Sequence, residues 1–273
     1  LKGSTTFRMQ SPFHAVVLPC CLSLFLWIGC DSAAVAFPAS QCGPLPEGFL
    51  VLEKDGDQVS RQGNLELENA RLNPASTTKL ALALILLADG FDSDTQLTIS
   101  DPYIEGTPRS ASLSEALLYS SNDYFISLAR QRGIPFFRDR MDALGFLPDA
   151  VKESWPGELK AIVHAGEATT TPAHQLEFMD SILNLDKSGA RELLPLIEWP
   201  RSSADRDLYP DLHLYGKTGA WDRTVWFVGG ARQKDRLKIV VIVSRGHWTI
   251  RKQAIEHFYC RFGQQLPNHP LVR

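Results

Sequence analysis

Residues 73–90 read NPASTTKLALALILLADG, and this stretch decides how the rest of the chain is interpreted. Residues 80–88 of this stretch are wholly apolar, and Gly90, a residue that commonly ends helices, follows shortly after them. The stretch predicts a strongly apolar helix over 76–89. The first turn carries Ser76 and Lys79, and a spacing of three residues places both side chains on one helix face.

Ser76 and Lys79 have the chemistry of a nucleophile and its base. Backbone N–H groups at a helix N-terminus favour the negative charge that develops when a hydroxyl attacks a carbonyl. A free lysine ammonium, with a pKa of about 10.4, cannot accept a proton at neutral pH. Lys79 would need burial or neighbouring cations to lower its pKa, or conversion by CO₂ into a carbamate. The plainer interpretation is that Ser76 only caps the helix.

Two further short motifs offer complementary groups. In Ser120-Ser121-Asn122, at the junction of two predicted helices, a hydroxyl can relay a proton and an amide can bind a substrate amide. In Lys217-Thr218-Gly219, on a predicted strand, a fixed charge and a hydroxyl precede a glycine that lets a ligand approach the backbone. The N–H of Ala220 could join that of Ser76 in an oxyanion hole. Taken alone, the first motif is equally a helix break and the second a solvated strand edge.

Composition excludes several classes of protein. The 273 residues are 44% hydrophobic and 22% charged, with a formal net charge of −3. A disordered chain would be less apolar, and a nucleic-acid binder would carry a basic excess. We therefore expect a globular chain with no nucleic-acid partner. The histidines show no metal-ligand spacing and the glycines form no phosphate loop, so we expect no metal.

The N-terminus has the pattern of an export signal. Residues 15–30 are uncharged but too few to span a bilayer, and Ala34-Val35-Ala36 fits a cleavage site. We expect a signal peptide over 1–36 and a periplasmic or secreted protein; a retained anchor, or a lipoprotein acylated at Cys30, are the alternatives. Cys42 and Cys260 remain after cleavage, either paired in a disulfide or as two free thiols.

Strands are predicted at both ends of the remaining chain, with helices between them. The strands are 48–54, 212–215, 224–230 and 237–244, and the other helices are 113–119, 123–132, 171–185 and 249–265. This order predicts an α/β domain over 37–273. Its sheet lobe comprises 37–75 and 205–273, and its helical lobe 76–204.

The order of the three motifs resembles that of the penicillin-recognising serine enzymes, the serine β-lactamases and penicillin-binding protein transpeptidases. Longer stretches are most similar to class D β-lactamases and their sensor relatives, namely 73–90, 112–133 (SLSEALLYSSNDYFISLARQRG), 169–183 (TTTPAHQLEFMDSIL), 215–219 (YGKTG) and 226–230 (WFVGG). The resemblance implies a five-stranded antiparallel sheet flanked by terminal helices, plus an all-helical lobe.

The resemblance also implies roles for individual residues. Ser76 would attack the carbonyl of a β-lactam or of a peptidoglycan D-Ala-D-Ala peptide, with Lys79 as base and Ser120 passing the proton to the leaving nitrogen. The N–H groups of Ser76 and Ala220 would hold the oxyanion. The substrate would be anchored by Lys217, Thr218 and Arg251 at its carboxylate and by Asn122 at its side-chain amide. Arg223 and Arg245 are rivals for the role of Arg251.

Departures from the family pattern bear on how the acyl-enzyme would be hydrolysed. Class D enzymes use a lysine carbamate supported by a tryptophan, and Trp155 is either that residue or an ordinary aromatic. Asn122 stands where class D enzymes usually have an apolar residue, which would slow hydrolysis. The glutamate used by class A enzymes is replaced by Pro156, although Glu153 or Glu158 could serve.

The leading hypothesis from the sequence is a serine β-lactamase resembling class D, with no cofactor beyond a carbamate on Lys79. One alternative is a D,D-peptidase that acts on peptidoglycan stem peptides. The other is a β-lactam sensor that deacylates slowly. A membrane would be contacted only through the uncleaved signal or a lipid on Cys30.

Overall fold

The computed structural model describes residues 36–148 and 155–268. The predicted signal segment 1–36 lies outside these residues, apart from Ala36, as does Glu153. Seven strands are present, β1 Phe49–Asp55, β2 Gln58–Gly63, β3 Leu97–Ile99, β4 Arg109–Ala111, β5 Leu212–Trp221, β6 Thr224–Gln233 and β7 Arg236–Arg245. The α-helices are α1 Thr78–Ala88, α2 Leu113–Tyr119, α3 Asn122–Arg132, α4 Ile134–Leu144, α5 Pro172–Leu183, α6 Ala190–Leu193, α7 Ser203–Leu208 and α8 Arg251–Arg261. No helix in the described ranges is both long and apolar enough to cross a bilayer.

Five strands form one antiparallel sheet in the order β2-β1-β7-β6-β5. Side chains alternate between its faces, because successive residues of a strand point to opposite sides. Leu50 and Leu52 pack with α1 and the other central helices, whereas Phe49 and Val51 pack with α8. The sheet is therefore covered on both faces, which confirms the α/β fold class.

The terminal helices differ from the prediction in one respect. The C-terminal helix α8 covers the sheet, but residues 36–48 lead into β1 without forming a helix. A disulfide joins Cys42 in this leading segment to Cys260 in α8, with Cα atoms 4.9 Å apart. The segment that leads into β1 is thus held against α8 by a covalent bond.

The central helix α1 is buried on all sides from Thr78 to Leu86. It begins two residues later than predicted, because Ala75–Thr77 form a 3₁₀ turn ahead of it. Gly90, with φ of +77°, turns the chain away just beyond its end. The nucleophile candidate Ser76 is thereby placed on the tight turn that leads into the most buried helix of the domain.

The helix α2 matches its predicted bounds because its N-terminus is encoded locally. The Glu115 N–H donates to Ser112 Oγ (3.4 Å), and the Ser112 N–H donates to the Glu115 carboxylate (3.0 Å). This reciprocal capping fixes the first turn. The sequence did not indicate α4, whose buried face consists of only Phe137 and Met141.

Candidate active site

Ser76 lies in the 3₁₀ turn that precedes α1, one turn from Lys79. The Lys79 Nζ is 3.2 Å from the Ser76 Oγ. The turn is fixed by Asn73, whose side-chain oxygen accepts from the N–H of Ala75 (2.8 Å), a residue with φ of +50°. Thr77, not Ser76, occupies the N-cap of α1. The hydroxyl of Ser76 is therefore directed at the lysine and not used as a helix cap.

Lys79 is completely buried and is surrounded by hydrogen-bond acceptors. Besides Ser76, its Nζ contacts the Ser120 carbonyl oxygen (2.7 Å), the Ser120 Oγ (3.3 Å) and the Asn122 Oδ1 (2.7 Å). Burial lowers the pKa of Lys79 from its ordinary value to about 7; Asp101 opposes this shift and the positive charge of Arg251 adds to it. An amine with such a pKa is partly neutral near pH 7 and can accept a proton.

Ser120 ends α2 in a left-handed conformation, with φ of 59° and ψ of 38°. This conformation is uncommon for a residue with a side chain. It places the Ser120 Oγ between two amines, 2.8 Å from the Lys217 Nζ and 3.3 Å from that of Lys79. A hydroxyl in this position can donate a proton to one group while it receives one from another.

Asp101 and Tyr103, which sequence reasoning missed, hold the segment from Ser120 to Asn122 in place. Buried Asp101 accepts hydrogen bonds from the Asn122 N–H (2.8 Å) and from the Ser121 hydroxyl. The Tyr103 hydroxyl lies 2.9 Å from the Ser120 carbonyl oxygen and accepts from the Asn122 N–H (3.1 Å). These contacts support the left-handed backbone of Ser120, because they hold the polar groups on both sides of it.

Lys217, Thr218, Gly219 and Ala220 lie on β5, which is an edge strand of the sheet. Lys217 and Thr218 are nonetheless buried, at 2% and 1% exposed, so they do not form a solvated strand edge. Burial lowers the pKa of Lys217 well below its ordinary value, and the charges of Lys79 and Arg251 lower it further. A Cβ added to Gly219 would lie 3.2 Å from the Ser76 N. The glycine therefore lets β5 approach the nucleophile's backbone.

Arg251 is the first residue of α8. Its charge lowers the pKa of both Lys79 and Lys217, which places it in the same cationic group. Burial lowers the pKa of its own guanidinium. The rivals Arg223 and Arg245 line a different cavity, together with Arg71 and Asn73. Of the three arginines, Arg251 is the one whose charge acts on both lysines.

A cavity of about 360 Å³ opens beside the nucleophile. Its lining residues include Ser76, Asn122 and Ala220, the possible base Glu158, and two residues not indicated by the sequence, His164 and Trp221. The ring of His164 stacks on the indole of Trp221, with centroids 4.1 Å apart and planes at 13°. Burial lowers the pKa of His164, which favours its neutral imidazole. His164 ends a short 3₁₀ helix that packs against α3, and no pattern in the sequence indicated that it would reach this cavity.

Trp155 is buried and does not line this cavity. Its indole Nε1 has no hydrogen-bond partner among the described residues and so forms no hydrogen bond to Lys79. One group in the described chain has spacing suited to a metal ion, formed by Cys42, His257 and Cys260. The disulfide occupies both of its sulfur atoms.

The arrangement is suited to nucleophilic attack on a carbonyl. It combines a serine hydroxyl beside an amine with a lowered pKa, and a second hydroxyl shared by two amines. It also has the buried amine of Lys217 and the half-buried guanidinium of Arg251, which can hold an anionic group of a ligand. These are the parts needed to form and to break an ester on Ser76.

Comparison with known proteins agrees with this chemistry. Residues 51–188 match the model of the penicillin binding protein transpeptidase domain. No curated protein matches the chain in sequence.

Several solved structures share the fold. The class D β-lactamase from Bacillus subtilis is 18% identical, with a TM-score of 0.66 over 80% of this chain and 93% of that one. The class D β-lactamase FUS-1 from Fusobacterium nucleatum subsp. polymorphum is 18% identical, with a TM-score of 0.65 over 77% and 88%. The C-terminal domain of the Bacillus licheniformis BlaR penicillin-receptor is 18% identical, with a TM-score of 0.62 over 78% and 87%. At these identities the likeness shows the fold alone.

Proposed function

This chain belongs to the penicillin binding protein transpeptidase domain family, and we propose that it is an exported serine acyl-transfer enzyme. Its Ser76 would be acylated by penicillins and by peptides ending in D-Ala-D-Ala. The observation that carries the proposal is the 3.2 Å contact between the Ser76 Oγ and the Nζ of Lys79, whose pKa is lowered to about 7. The base therefore has a pKa close to the working pH. It lies within hydrogen-bond distance of the nucleophile before any substrate binds.

In the acylation step, the neutral Lys79 amine takes the proton of Ser76 as its Oγ attacks the carbonyl carbon. The carbonyl oxygen becomes negative and is held by the N–H groups of Ser76 and Ala220, both residues of the cavity wall. Ser120, with its Oγ 3.3 Å from Lys79 and 2.8 Å from Lys217, passes a proton to the leaving nitrogen as the C–N bond breaks. The product is an ester on Ser76.

The cationic group formed by Lys217 and Arg251, with the hydroxyl of Thr218, anchors the substrate carboxylate. Buried cations attract such an anion more strongly than exposed ones, because the effective dielectric constant is low. Asn122, with its Oδ1 on Lys79, keeps its amide N–H groups for the substrate amide. The acyl side of the substrate then lies in the cavity that Trp221 and His164 border.

Two close contacts of Lys79 favour a free amine over a carbamate. Its two closest neighbours are oxygen acceptors, the Ser120 carbonyl and the Asn122 Oδ1, each at 2.7 Å. A carbamate would place negatively charged oxygens in this region, where it needs donors. We therefore propose that Lys79 works as a free amine, that deacylation by the class D route is absent, and that the enzyme is a D,D-peptidase.

The second candidate function is a β-lactamase, and one observation favours it. Glu158 and His164 line the cavity that contains Ser76, and either could activate a water. The ring of His164, stacked on Trp221, borders the same cavity as Ser76. The fold likeness to two class D β-lactamases agrees with both candidates.

Time-resolved mass spectrometry with benzylpenicillin tests the proposal. We expect a covalent adduct on Ser76 that persists for minutes, and release of D-alanine from a peptide ending in D-Ala-D-Ala. Ser76→Ala abolishes both, whereas Ser60→Ala, at an exposed position of β2, leaves them intact. A short-lived adduct with steady product would favour the β-lactamase, and a persistent adduct without peptide cleavage a sensor. If no adduct forms, the proposed function is wrong.

A further inference from the structure

A second cavity, of about 590 Å³, lies beside the one that contains Ser76. Its lining residues include Arg71, Asn73, Glu167, Trp221, Arg223 and Arg245. Trp221 borders both cavities, with its exposed indole stacked on His164. A ligand that extends past this indole from Ser76 therefore enters a space bounded by arginines.

The fold brings Arg223 and Arg245 to the same end of the sheet. Asp222 and Arg223 form the two-residue turn between β5 and β6, with φ of 44° and 60°. Arg245, the last residue of β7, pairs with Thr224 in the sheet register. The N–H of Gly246 donates to the Arg223 carbonyl oxygen (2.7 Å). The backbones that carry the two arginines are thus fixed to each other.

The opposite wall is also held by hydrogen bonds. The backbones of Leu72 and Thr170 pair in both directions at 2.9 Å. The side-chain amide of Asn73 donates to the Gly166 carbonyl oxygen (2.7 Å), and the indole of Trp226 donates to the Asn73 carbonyl oxygen (2.9 Å). Hydrogen bonds within the protein therefore hold both walls of the cavity, and binding sites are usually pre-formed in this way.

The charge of this cavity opposes that of the whole chain. Three arginines and two carboxylates, those of Glu167 and Asp222, line it, whereas the chain has a net charge of −3. Within residues 36–148 and 155–268, neither Arg223 nor Arg245 forms an ion pair. Their guanidinium donors are matched to a carboxylate, which they can bind through two parallel hydrogen bonds.

We infer that Arg223 and Arg245 form a subsite for a carboxylate carried by the acyl part of the substrate. This inference rests on the proposed function for the direction in which the substrate lies. Lys217, Thr218 and Arg251 hold the carboxylate of the leaving part, so the acyl part runs through the first cavity towards Trp221. An extended peptide advances about 3.5 Å per residue, and a side chain one or two residues before the reacting D-alanine extends past the indole. The preferred donor is an acidic peptide ending in D-Ala-D-Ala.

Calorimetric titration of the Ser76→Ala protein tests the subsite without turnover. The probes are two acetylated tetrapeptides, Glu-Gly-D-Ala-D-Ala and Gln-Gly-D-Ala-D-Ala, which differ only in the charge of the first side chain. We expect the glutamate peptide to bind at least fivefold more tightly, with an advantage that shrinks as salt is added. Adding Arg223→Gln and Arg245→Gln abolishes the difference. Adding Arg130→Gln and Arg191→Gln, which remove the same charge from exposed positions on α3 and α6, preserves it.

A second variant keeps the test decisive if the arginine substitutions disturb folding. Glu167→Gln removes an opposing carboxylate from the same cavity and should increase the preference for the glutamate peptide about twofold. Equal binding of the two peptides, binding of neither, or a preference that survives loss of both arginines overturns the inference. If penicillin forms an adduct but the two peptides bind equally, the proposed function stands and the subsite is wrong. If the glutamate peptide is preferred but no adduct forms, the subsite stands and the proposed function is wrong.

Discussion

The amine of Lys79 lies 2.7 Å from the side-chain oxygen of Asn122, so a polar group adjoins the base on which acylation depends. A hydrogen bond to the protonated amine stabilises its charged form and raises its pKa. Asn122 therefore opposes the burial that brings the pKa of Lys79 down to about 7. The amide both adjusts the base and faces the substrate cavity.

Two different substitutions of Asn122 should shift the pH midpoint of acylation in opposite directions. Acylation requires the neutral amine, so its rate rises with pH through the pKa of Lys79 and levels off above it. Asn122→Asp adds a negative charge beside the amine and should shift the midpoint up by about 1–3 pH units. Asn122→Leu removes the acceptor and should shift it down. Stopped-flow labelling with a fluorescent penicillin between pH 5 and 10 measures both.

The control for these variants is Asn69→Asp, which adds the same charge at an exposed position and should leave the midpoint unchanged. A midpoint that both Asn122 variants shift in the same direction would show that Lys79 is not the titrating base.

Asp101→Asn should slow acylation by about 10- to 100-fold and shift its pH midpoint to lower pH. The slowing follows because Asp101 positions the segment from Ser120 to Asn122. The shift follows because the charge of Asp101 raises the pKa of Lys79. The free energy of unfolding should fall by about 1–3 kcal/mol, as for a disrupted buried hydrogen bond. A purely structural role would change the stability and leave the pH midpoint in place, and Asp94→Asn at an exposed position should change neither.

Arg251→Met should reduce the preference for a penicillin over its methyl ester, because the ester lacks the carboxylate that Arg251 anchors. It should also move the pH midpoint of acylation upward, since the charge of Arg251 lowers the pKa of Lys79. Competition kinetics with the acid and the ester measure the ratio. Lys252→Met removes a charge from the exposed neighbouring position of α8 and serves as the control; an unchanged ratio in Arg251→Met would assign the carboxylate to other residues.

Gly219→Ala should slow acylation at least tenfold with a smaller loss of stability. The added Cβ would lie 3.2 Å from the Ser76 N and 3.2 Å from the Ala75 Cβ, which is tighter than ordinary contact. It would therefore displace a donor of the oxyanion hole, and one such donor is typically worth about 10²–10³ in rate. The matched control is Gly157→Ala, because a Cβ there meets nothing within 4 Å. Equal acylation by both variants would contradict the close approach of β5 to Ser76.

Replacing both Cys42 and Cys260 by serine should lower the free energy of unfolding by about 2–5 kcal/mol. The disulfide joins residues 218 positions apart, and closing a long loop restricts the unfolded chain. Urea unfolding followed by tryptophan fluorescence measures the difference. Acylation of the folded variant should stay near that of the unaltered protein, since Cys260 lies at the end of α8 opposite to Arg251. The same urea midpoint for both proteins would mean that the bond adds nothing.

The sequence was informative where the determinants of structure are local. Ser112 and Glu115 cap α2 through contacts three residues apart, and the spacing of Ser76 and Lys79 was sufficient to place their side chains together. Asp101 was not found, because its partners lie about twenty positions further along the chain and no short motif relates them. His164 was set aside for a similar reason, since only the fold brings it to Trp221.

The Ser120 hydroxyl contacts amines from two distant parts of the chain, Lys79 of α1 and Lys217 of β5. The contact with Lys217 cannot form until the sheet has closed against the helices. A covalent label on Ser76 is therefore also a count of native molecules. In a refolding mixture or in a library of variants, the labelled fraction would measure how much of the protein has folded correctly. A single reagent would thereby report on the helices and the sheet together.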